Sequence, residues 1–244
     1  MDPATDPAME NDDAQVGTVL SRRRALGLLG AGGGLAAAGL LGNRAQAAST
    51  ALPSCVVRPA QTEGPFFVDE QLRRSDVRSD PGTGRVEAGV PLALSFVVSK
   101  VGAGGCAPLS GVMIDIWHTN ALGKYSDEAS EGTSGQKFLR GYQTTDAGGR
   151  ASFSTIYPGW YNGRTVHIHF KLRQAGTEFT SQLFFDEALS DRVYASAPYN
   201  TRGNRTTRNA SDSIFTNGGH QLMLSAKPVG KGYAATFDIG MNLR

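Results

Sequence analysis

Short apolar segments bounded by turn-forming residues constrain the fold of this chain more than any other feature. Glycine, proline, aspartate and asparagine separate these segments, as in β-sandwiches and barrels. The clearest segments cover residues 90–101, 111–119, 149–157, 165–173, 178–185 and 232–243. Only residues 185–195 have the pattern of a helical turn, and a long polar loop follows them. The sequence therefore predicts an all-β fold, with one domain from about residue 50 to residue 244.

The N-terminal segment, residues 1–47, is predicted to be a twin-arginine signal peptide. Arg22, Arg23 and Arg24 precede an apolar run that ends in a small-residue site near Ala47. The run is only about 18 residues long, which is marginal for a transmembrane helix. An uncleaved signal anchor is the alternative. We expect the twin-arginine translocation machinery to export residues 48–244 as a folded domain, to the periplasm, the cell surface or the medium.

The net charge bears on possible partners of the chain, and the two cysteines bear on its covalent structure. The chain has 24 basic and 22 acidic residues, a formal net charge of +2, which is too small to indicate a nucleic-acid partner. Its two cysteines are Cys55 and Cys106, and in an oxidising compartment we expect them to form a disulfide. The alternative is a lipid anchor at Cys55, in the sequence LPSC, where the proline is unfavourable.

A His-x-His pair is the first indication of chemistry. If residues 165–173 form a strand, alternate side chains share a face, so His167 and His169 lie side by side, about 6 to 7 Å apart at their Cα atoms. That separation allows both imidazoles to bind one metal ion. A strand with a polar, solvent-facing side explains the same pattern, and the pair alone does not decide between the two.

Tyrosines near this pair could complete a metal site. Tyr157 and Tyr161 lie just upstream, and Tyr125 follows the segment that contains Trp117. A phenolate is a hard, anionic ligand that suits ferric iron better than zinc or copper(I). Each tyrosine taken alone could equally be an ordinary residue of an amphipathic sheet.

Four segments together resemble the intradiol ring-cleavage dioxygenases, which are non-haem Fe(III) enzymes of the protocatechuate 3,4-dioxygenase and catechol 1,2-dioxygenase type. The segments are CVVRPAQTEGPFF (55–67), DIWHTNALGKYSD (115–127), TIYPGWYNGRTVHIHFK (155–171) and TSQLFFDEALSDRVY (180–194). The similarity covers roughly residues 55–243 and is closest to exported members, which also have this cysteine pair. It implies an antiparallel β-sandwich with the iron between the two layers.

The resemblance also implies roles for individual residues. The Fe(III) ligands would be Tyr125, Tyr161, His167 and His169, whereas Tyr157 would not bind iron. Catalytic roles would belong to Tyr125, Arg164 and Gln182. Substrate contacts would come from Gly64, Pro65, Trp117 and Arg164. His118 stands where the protocatechuate enzymes usually have glutamine, and we interpret it as a residue of the site wall or of the packing.

The activity implied is cleavage of a catechol ring by O2, between the two hydroxyl-bearing carbons, to give a muconate-type diacid. A transthyretin-like β-sandwich that binds a partner and retains a relic metal site is the second hypothesis. A zinc hydrolase is the third, although no glutamate lies next to the histidines as a general base. The sequence leaves open which catechol is the substrate and whether the chain forms a homo-oligomer.

The leader hypothesis can be tested by changing Arg22, Arg23 and Arg24 to lysine. Because twin-arginine export depends on the paired arginines, we expect the variant to accumulate in the cytoplasm as folded protein. Immunoblots of cell fractions measure this. Efficient export of the triple-lysine variant would contradict the hypothesis.

Overall fold

The computed structural model describes residues 57–102 and 105–242. The predicted leader and Cys55 lie outside this part of the chain. Cys106 is not a free thiol, but its predicted pairing with Cys55 stays a prediction. None of the helices in the described part is long and apolar enough to cross a membrane.

Two β-sheets packed face to face confirm the predicted all-β sandwich. The strands are β1 (Pro91–Gly102), β2 (Gly105–Pro108), β3 (Met113–Trp117), β4 (Arg140–Thr144), β5 (Arg150–Ile156), β6 (His167–Gln174), β7 (Thr177–Phe184), β8 (Lys227–Val229) and β9 (Gly232–Met241). The first sheet has the order β2-β1-β9-β8, with β5 also paired to β1. The second sheet has the order β4-β3-β6-β7 and is antiparallel throughout. The first sheet is mixed, because β1 and β9 pair in parallel.

Aromatic side chains join the two sheets. The Phe170 ring of β6 lies 5.4 Å from the Phe96 ring of β1 and 5.5 Å from the Phe237 ring of β9, measured between centroids. All three side chains are almost fully buried. Burial of each such side chain contributes about 1.5–3 kcal/mol to the free energy of unfolding. These contacts fix which face of β6 points into the sandwich.

The opposite face of β6 carries the histidines. Ile168 and Phe170 belong to the core between the sheets, so His167 and His169 project from the outer side of the second sheet. Both histidines are nevertheless buried, because loops cover them. The alternative of a solvent-facing polar side is therefore wrong. The histidine side chains also do not lie between the two layers, which corrects the position that the resemblance implied for the iron.

The two α-helices of the described residues both lie between β7 and β8. Helix α1 (Glu187–Tyr194) confirms the predicted helical turn, and the Asp186 side chain caps its first turn by accepting from the Leu189 amide. The predicted polar loop contains 3₁₀ turns at Tyr199–Arg202 and Asn209–Ser211. A short helix, α2 (Ser213–Thr216), follows, and Asp212 caps it. Two more 3₁₀ turns are Ala129–Glu131 and Gly219–Leu222.

His118 connects the two layers, in agreement with its predicted packing role. Its Nδ1–H donates to the Thr119 carbonyl (2.8 Å), so Nε2 accepts from the Thr155 hydroxyl of β5 (2.6 Å). The side chain is fully buried. Burial lowers the pKa of His118 to about 4. The folded protein therefore requires the neutral imidazole.

A pH dependence of stability follows. The pKa of His118 is lower in the folded than in the unfolded chain, so its contribution is complete above about pH 6.5 and is lost as the pH falls toward 4. Between pH 7.5 and 5, the metal-free wild type should lose about 2 kcal/mol more stability than His118→Gln. Urea denaturation at both pH values measures this. Equal losses in the two proteins would show that His118 is not the titrating group.

Candidate metal centre

Two imidazoles and two phenols meet on the outer side of the second sheet. His167 Nε2 lies 3.1 Å from His169 Nε2, 3.3 Å from Tyr125 Oη and 3.4 Å from Tyr161 Oη. Of the four side chains, only Tyr161 has more than slight solvent exposure. The structure thus brings together all four residues that the sequence predicted as ligands.

These distances fit ligands that share one metal ion. First-row metals bind imidazole nitrogen and oxygen at about 2.0–2.2 Å, which places neighbouring ligand atoms about 3.0–3.6 Å apart. The side chains from β6, from the segment before it and from the Tyr125 segment meet this requirement in their present positions. The donor set, with two nitrogens and two phenol oxygens, fits a trivalent ion such as Fe(III).

Burial shifts the pKa values of all four groups. Burial is the largest cause of a raised pKa at Tyr125 and Tyr161, and of a lowered pKa at His167 and His169. Without a cation, the phenols therefore keep their protons and the imidazoles stay neutral. A metal ion among them would favour phenolate and would use the imidazole lone pairs.

Each histidine is oriented in a different way. The Nδ1–H of His167 donates to the Thr165 carbonyl at 2.6 Å, which leaves the Nε2 lone pair toward the other donors. His169 instead stacks on Trp117, with the ring centroids 4.9 Å apart and the planes within 7°. Its Nδ1 has no hydrogen-bond partner among the described residues. Trp117 itself is buried, and its predicted contact with substrate stays a prediction.

Close backbone contacts bring the two tyrosine segments together. The Asn120 side chain accepts from the Leu122 and Lys124 amides and forms the turn before Tyr125. Gly159 lies against this turn, and its amide donates to the Asn120 carbonyl at 3.0 Å. A Cβ on Gly159 would lie 2.3 Å from that carbonyl oxygen, and one on Gly123 would lie 2.0 Å from the Trp160 carbonyl oxygen. Only glycine allows this approach at both positions.

Arg164 is held beside the donors by two partners. Its Nε donates to Asp212 (3.0 Å), and its Nη2 donates to the Gln182 side-chain oxygen (2.5 Å). Gln182 in turn donates to the Thr62 carbonyl (2.9 Å). Arg164 also lowers the pKa of Tyr161, against the larger effect of burial. The predicted pair of Arg164 and Gln182 is therefore in contact, close to the tyrosine.

The loop 62–67 covers the donors. Gly64 has a φ of +69°, and a Cβ there would lie 3.5 Å from Cε1 of His169, so the backbone passes close to that ring. Pro65 is exposed at the surface of the loop. Phe66 stacks on Tyr125, with centroids 4.2 Å apart and planes at 17°. This geometry is compatible with the predicted substrate contacts of Gly64 and Pro65, and substrate contact at these residues stays a prediction.

Comparison with known proteins identifies the family of this site. A family model described as dioxygenase matches residues 62–226. The beta chain of protocatechuate 3,4-dioxygenase from Burkholderia cepacia is 32% identical over 167 residues, which are 62% of this chain and 70% of that relative. The chain belongs to the intradiol ring-cleavage dioxygenase family. Catechol 1,2-dioxygenase 1 from Acinetobacter lwoffii is 28% identical over 135 residues, which are 46% of this chain and only 40% of that relative.

Solved structures agree with this assignment. An intradiol ring-cleavage dioxygenase from Tetranychus urticae superposes with a TM-score of 0.68 at 29% identity, over 77% of this chain and 95% of that one. The dioxygenase domain of a carbohydrate-binding fusion protein from Streptomyces sp. SirexAA-E gives a TM-score of 0.58 at 29% identity, over 78% of this chain and all of that one.

Several residues that support this dioxygenase site were not singled out from the sequence. Phe66 belongs to the motif CVVRPAQTEGPFF, so the sequence contained a signal for its contact with the site. Arg140 is buried and donates to the Phe66 carbonyl (2.6 Å) and to the Ser126 carbonyl (2.7 Å). Asp212 lies in the polar loop, far along the chain from Arg164. No local pattern marks Arg140 or Asp212.

Tyr157, which the resemblance excluded from the metal ligands, is a core residue. It is fully buried, its hydroxyl lies 2.7 Å from the Ser190 hydroxyl, and its ring packs on Phe185. It therefore has partners of its own in the core.

Proposed function

We propose that this dioxygenase is an exported, non-haem Fe(III) enzyme that cleaves catechol-type rings between the two hydroxyl-bearing carbons with O2. The products would be muconate-type diacids. The observation that carries the proposal is that the donor atoms of Tyr125, Tyr161 and His169 all lie within 3.1–3.4 Å of His167 Nε2. The similarity to catechol and protocatechuate dioxygenases supports the substrate class.

Iron(III) is the metal that suits this donor set and that intradiol dioxygenases normally use. Bound among the four side chains, it would supply the Lewis acidity that makes a catechol dianion reactive toward O2. His167, fixed by the Thr165 carbonyl, and His169, fixed by Trp117, would hold the ion at the end of β6.

The two tyrosines would have different tasks. Tyr161 is connected to His167 by a tight turn in which it bridges to Arg164, so the chain keeps its oxygen near the metal throughout. Tyr125 comes from a separate segment, and in a metal-loaded site its phenolate oxygen would accept a proton from a catechol hydroxyl. Burial strongly raises the pKa of the Tyr125 phenol, which would make its phenolate a strong base for this proton.

Arg164 would stabilise negative charge on the substrate. An arginine keeps its charge under all physiological conditions, and here Asp212 and Gln182 fix the direction of the guanidinium group. Charge that develops on the substrate beside Tyr161 would therefore meet a preoriented cation, without reorganisation of the protein.

Export is a separate element of the proposal and rests on the sequence of residues 1–47. In this view, residues 48–244 form the mature enzyme and Cys55 pairs with Cys106. The transthyretin-like binding module is disfavoured, because a relic site would be expected to have lost at least one donor, and all four are present and in contact.

Metal analysis and oxygen uptake test the proposed activity. The purified protein should contain iron, show the red colour of tyrosinate-to-Fe(III) charge transfer, and consume O2 with at least one of catechol, protocatechuate and hydroxyquinol. Mass spectrometry after reaction in ¹⁸O₂ should find both labelled atoms in a ring-opened diacid. An iron-loaded protein that consumes no O2 with any of these catechols would contradict the proposed activity and favour the binding module.

Separate tyrosine variants test the assignment of the ligands. Tyr161→Phe should lose most of the colour and retain iron poorly. Tyr125→Phe should keep iron and part of the colour, but its kcat should fall by about 10²-fold or more, because a base is lost. Visible spectra with and without anaerobic catechol, together with kcat, measure these effects.

Tyr157→Phe is the matched control, since it removes a buried hydroxyl that bonds to Ser190 and not to a metal donor. It should keep iron, colour and kcat, and lose about 1 kcal/mol of stability. Unchanged activity in Tyr125→Phe, or wild-type colour in Tyr161→Phe, would show that the ligands have been assigned wrongly.

A further inference from the structure

A buried lysine lies on the same face of β6 as the two histidines. Lys171 is the second residue after His169, so strand alternation directs it to the outer side of the second sheet. Its side chain is only 7% exposed. Its ammonium group forms an ion pair with Glu63 and lies 4.0 Å from the centroid of the Phe67 ring. Glu178, at 3.8 Å, is a more exposed second carboxylate.

Both principal partners of Lys171 belong to the loop that covers the metal donors. Glu63 and Phe67 stand at the two sides of the segment that places Gly64 against His169 and Phe66 on Tyr125. The lysine therefore contacts the loop on both sides of the part that meets the donors.

Other contacts also hold the loop, including the packing of Phe67 on Trp117, with the ring centroids 4.8 Å apart. The Gln182 side chain donates to the Thr62 carbonyl, and Arg140 donates to the Phe66 carbonyl. The Thr180 hydroxyl donates to Glu63 at 3.3 Å. Lys171 differs from these contacts in bridging two side chains of the loop, Glu63 and Phe67.

Physical chemistry couples the charge of Lys171 to the position of the loop. A buried ammonium group needs a counterion and hydrogen-bond acceptors, because transfer from water to the interior is costly. If the loop moved away, the lysine would lose the Glu63 carboxylate and the face of Phe67 together. Conversely, without the ammonium group the Glu63 carboxylate would gain by turning to solvent.

We propose that Lys171 is a positioning residue that holds the loop 62–67 over the metal-binding face, so that Phe66 stays on Tyr125 and Gly64 stays on His169. One strand face thus carries two metal donors and the anchor of the loop that covers them. The inference rests on the proposed function for its kinetic consequence only, because the loop contacts exist without turnover.

Hydrogen–deuterium exchange of the purified full-length protein tests the anchor directly. In Lys171→Met, amide exchange in residues 63–67 should be at least about tenfold faster than in the wild type, while β6 and β7 change by less than about twofold. Glu63→Gln leaves β6 intact and should show the same pattern. This readout needs neither a particular substrate nor catalysis, so it can fail independently of the proposed activity.

Two control variants separate positioning from general destabilisation. Lys171→Arg keeps the charge and the stack on Phe67, and Glu178→Gln alters the exposed partner, so both should stay within about twofold of the wild type in loop exchange. In the iron-loaded enzyme, Lys171→Met should raise KM for the best catechol by about fivefold or more and change kcat by less than about twofold.

Two results would overturn the inference. The first is unchanged exchange of the loop in both Lys171→Met and Glu63→Gln. The second is an equal rise in exchange across β6 and β7, which would show that the lysine only stabilises the sheet. A loosened loop with an unchanged KM would overturn the kinetic consequence, because the loop's position would then not matter for substrate binding.

Discussion

Burial of the polar face of β6 is the constraint on which the rest of the site depends. Each side chain on this face must recover in the protein what it loses in hydration. His167 and His169 lie against two phenols, and Lys171 lies between Glu63 and Phe67. Arg173, the next residue on this face, pairs with Asp69 and Asp115. The segment 62–69 therefore supplies the partners that allow these charged side chains of β6 to be buried.

The tyrosines reach the histidines through backbone contact, which is stiffer than side-chain contact. Gly123 and Gly159 pack so closely against carbonyl groups that any larger residue would separate the two loops. The Tyr125 segment is held further by Thr133, whose hydroxyl donates to the Tyr125 carbonyl at 2.6 Å. Packing of the main chain thus brings the two tyrosine segments together. Preorganisation of this kind lowers the cost of binding a metal.

Local patterns in the sequence predict the strands well, because alternation and turn residues act over a few positions. The bounds of β6 and β7 differ from the predicted segments by only one or two residues. The parallel pairing of β1 with β9 joins distant parts of the chain, and no local pattern indicates it. The sequence could not decide whether the histidine face is buried for the same reason, since the loop 62–67 that covers it lies about 100 positions before the histidines. The resemblance named the four donors, but the roles of Asp212, Arg140 and Lys171 depend on contacts across the fold.

Asp212 is such a distant residue, and it connects several parts of the site by hydrogen bonds. Its Oδ2 accepts from Arg164 Nε (3.0 Å) and from the Thr165 amide (2.7 Å), while its Oδ1 accepts from the Ile214 and Phe215 amides at the start of α2. One buried carboxylate therefore orients the guanidinium group and also fixes the backbone whose Thr165 carbonyl directs His167. Its charge offsets that of Arg164, so the arginine can lie beside the metal donors without leaving an uncompensated cation in a buried place. The aspartate thus couples the proposed metal ligand His167 and the proposed charge-stabilising residue Arg164 to the start of α2.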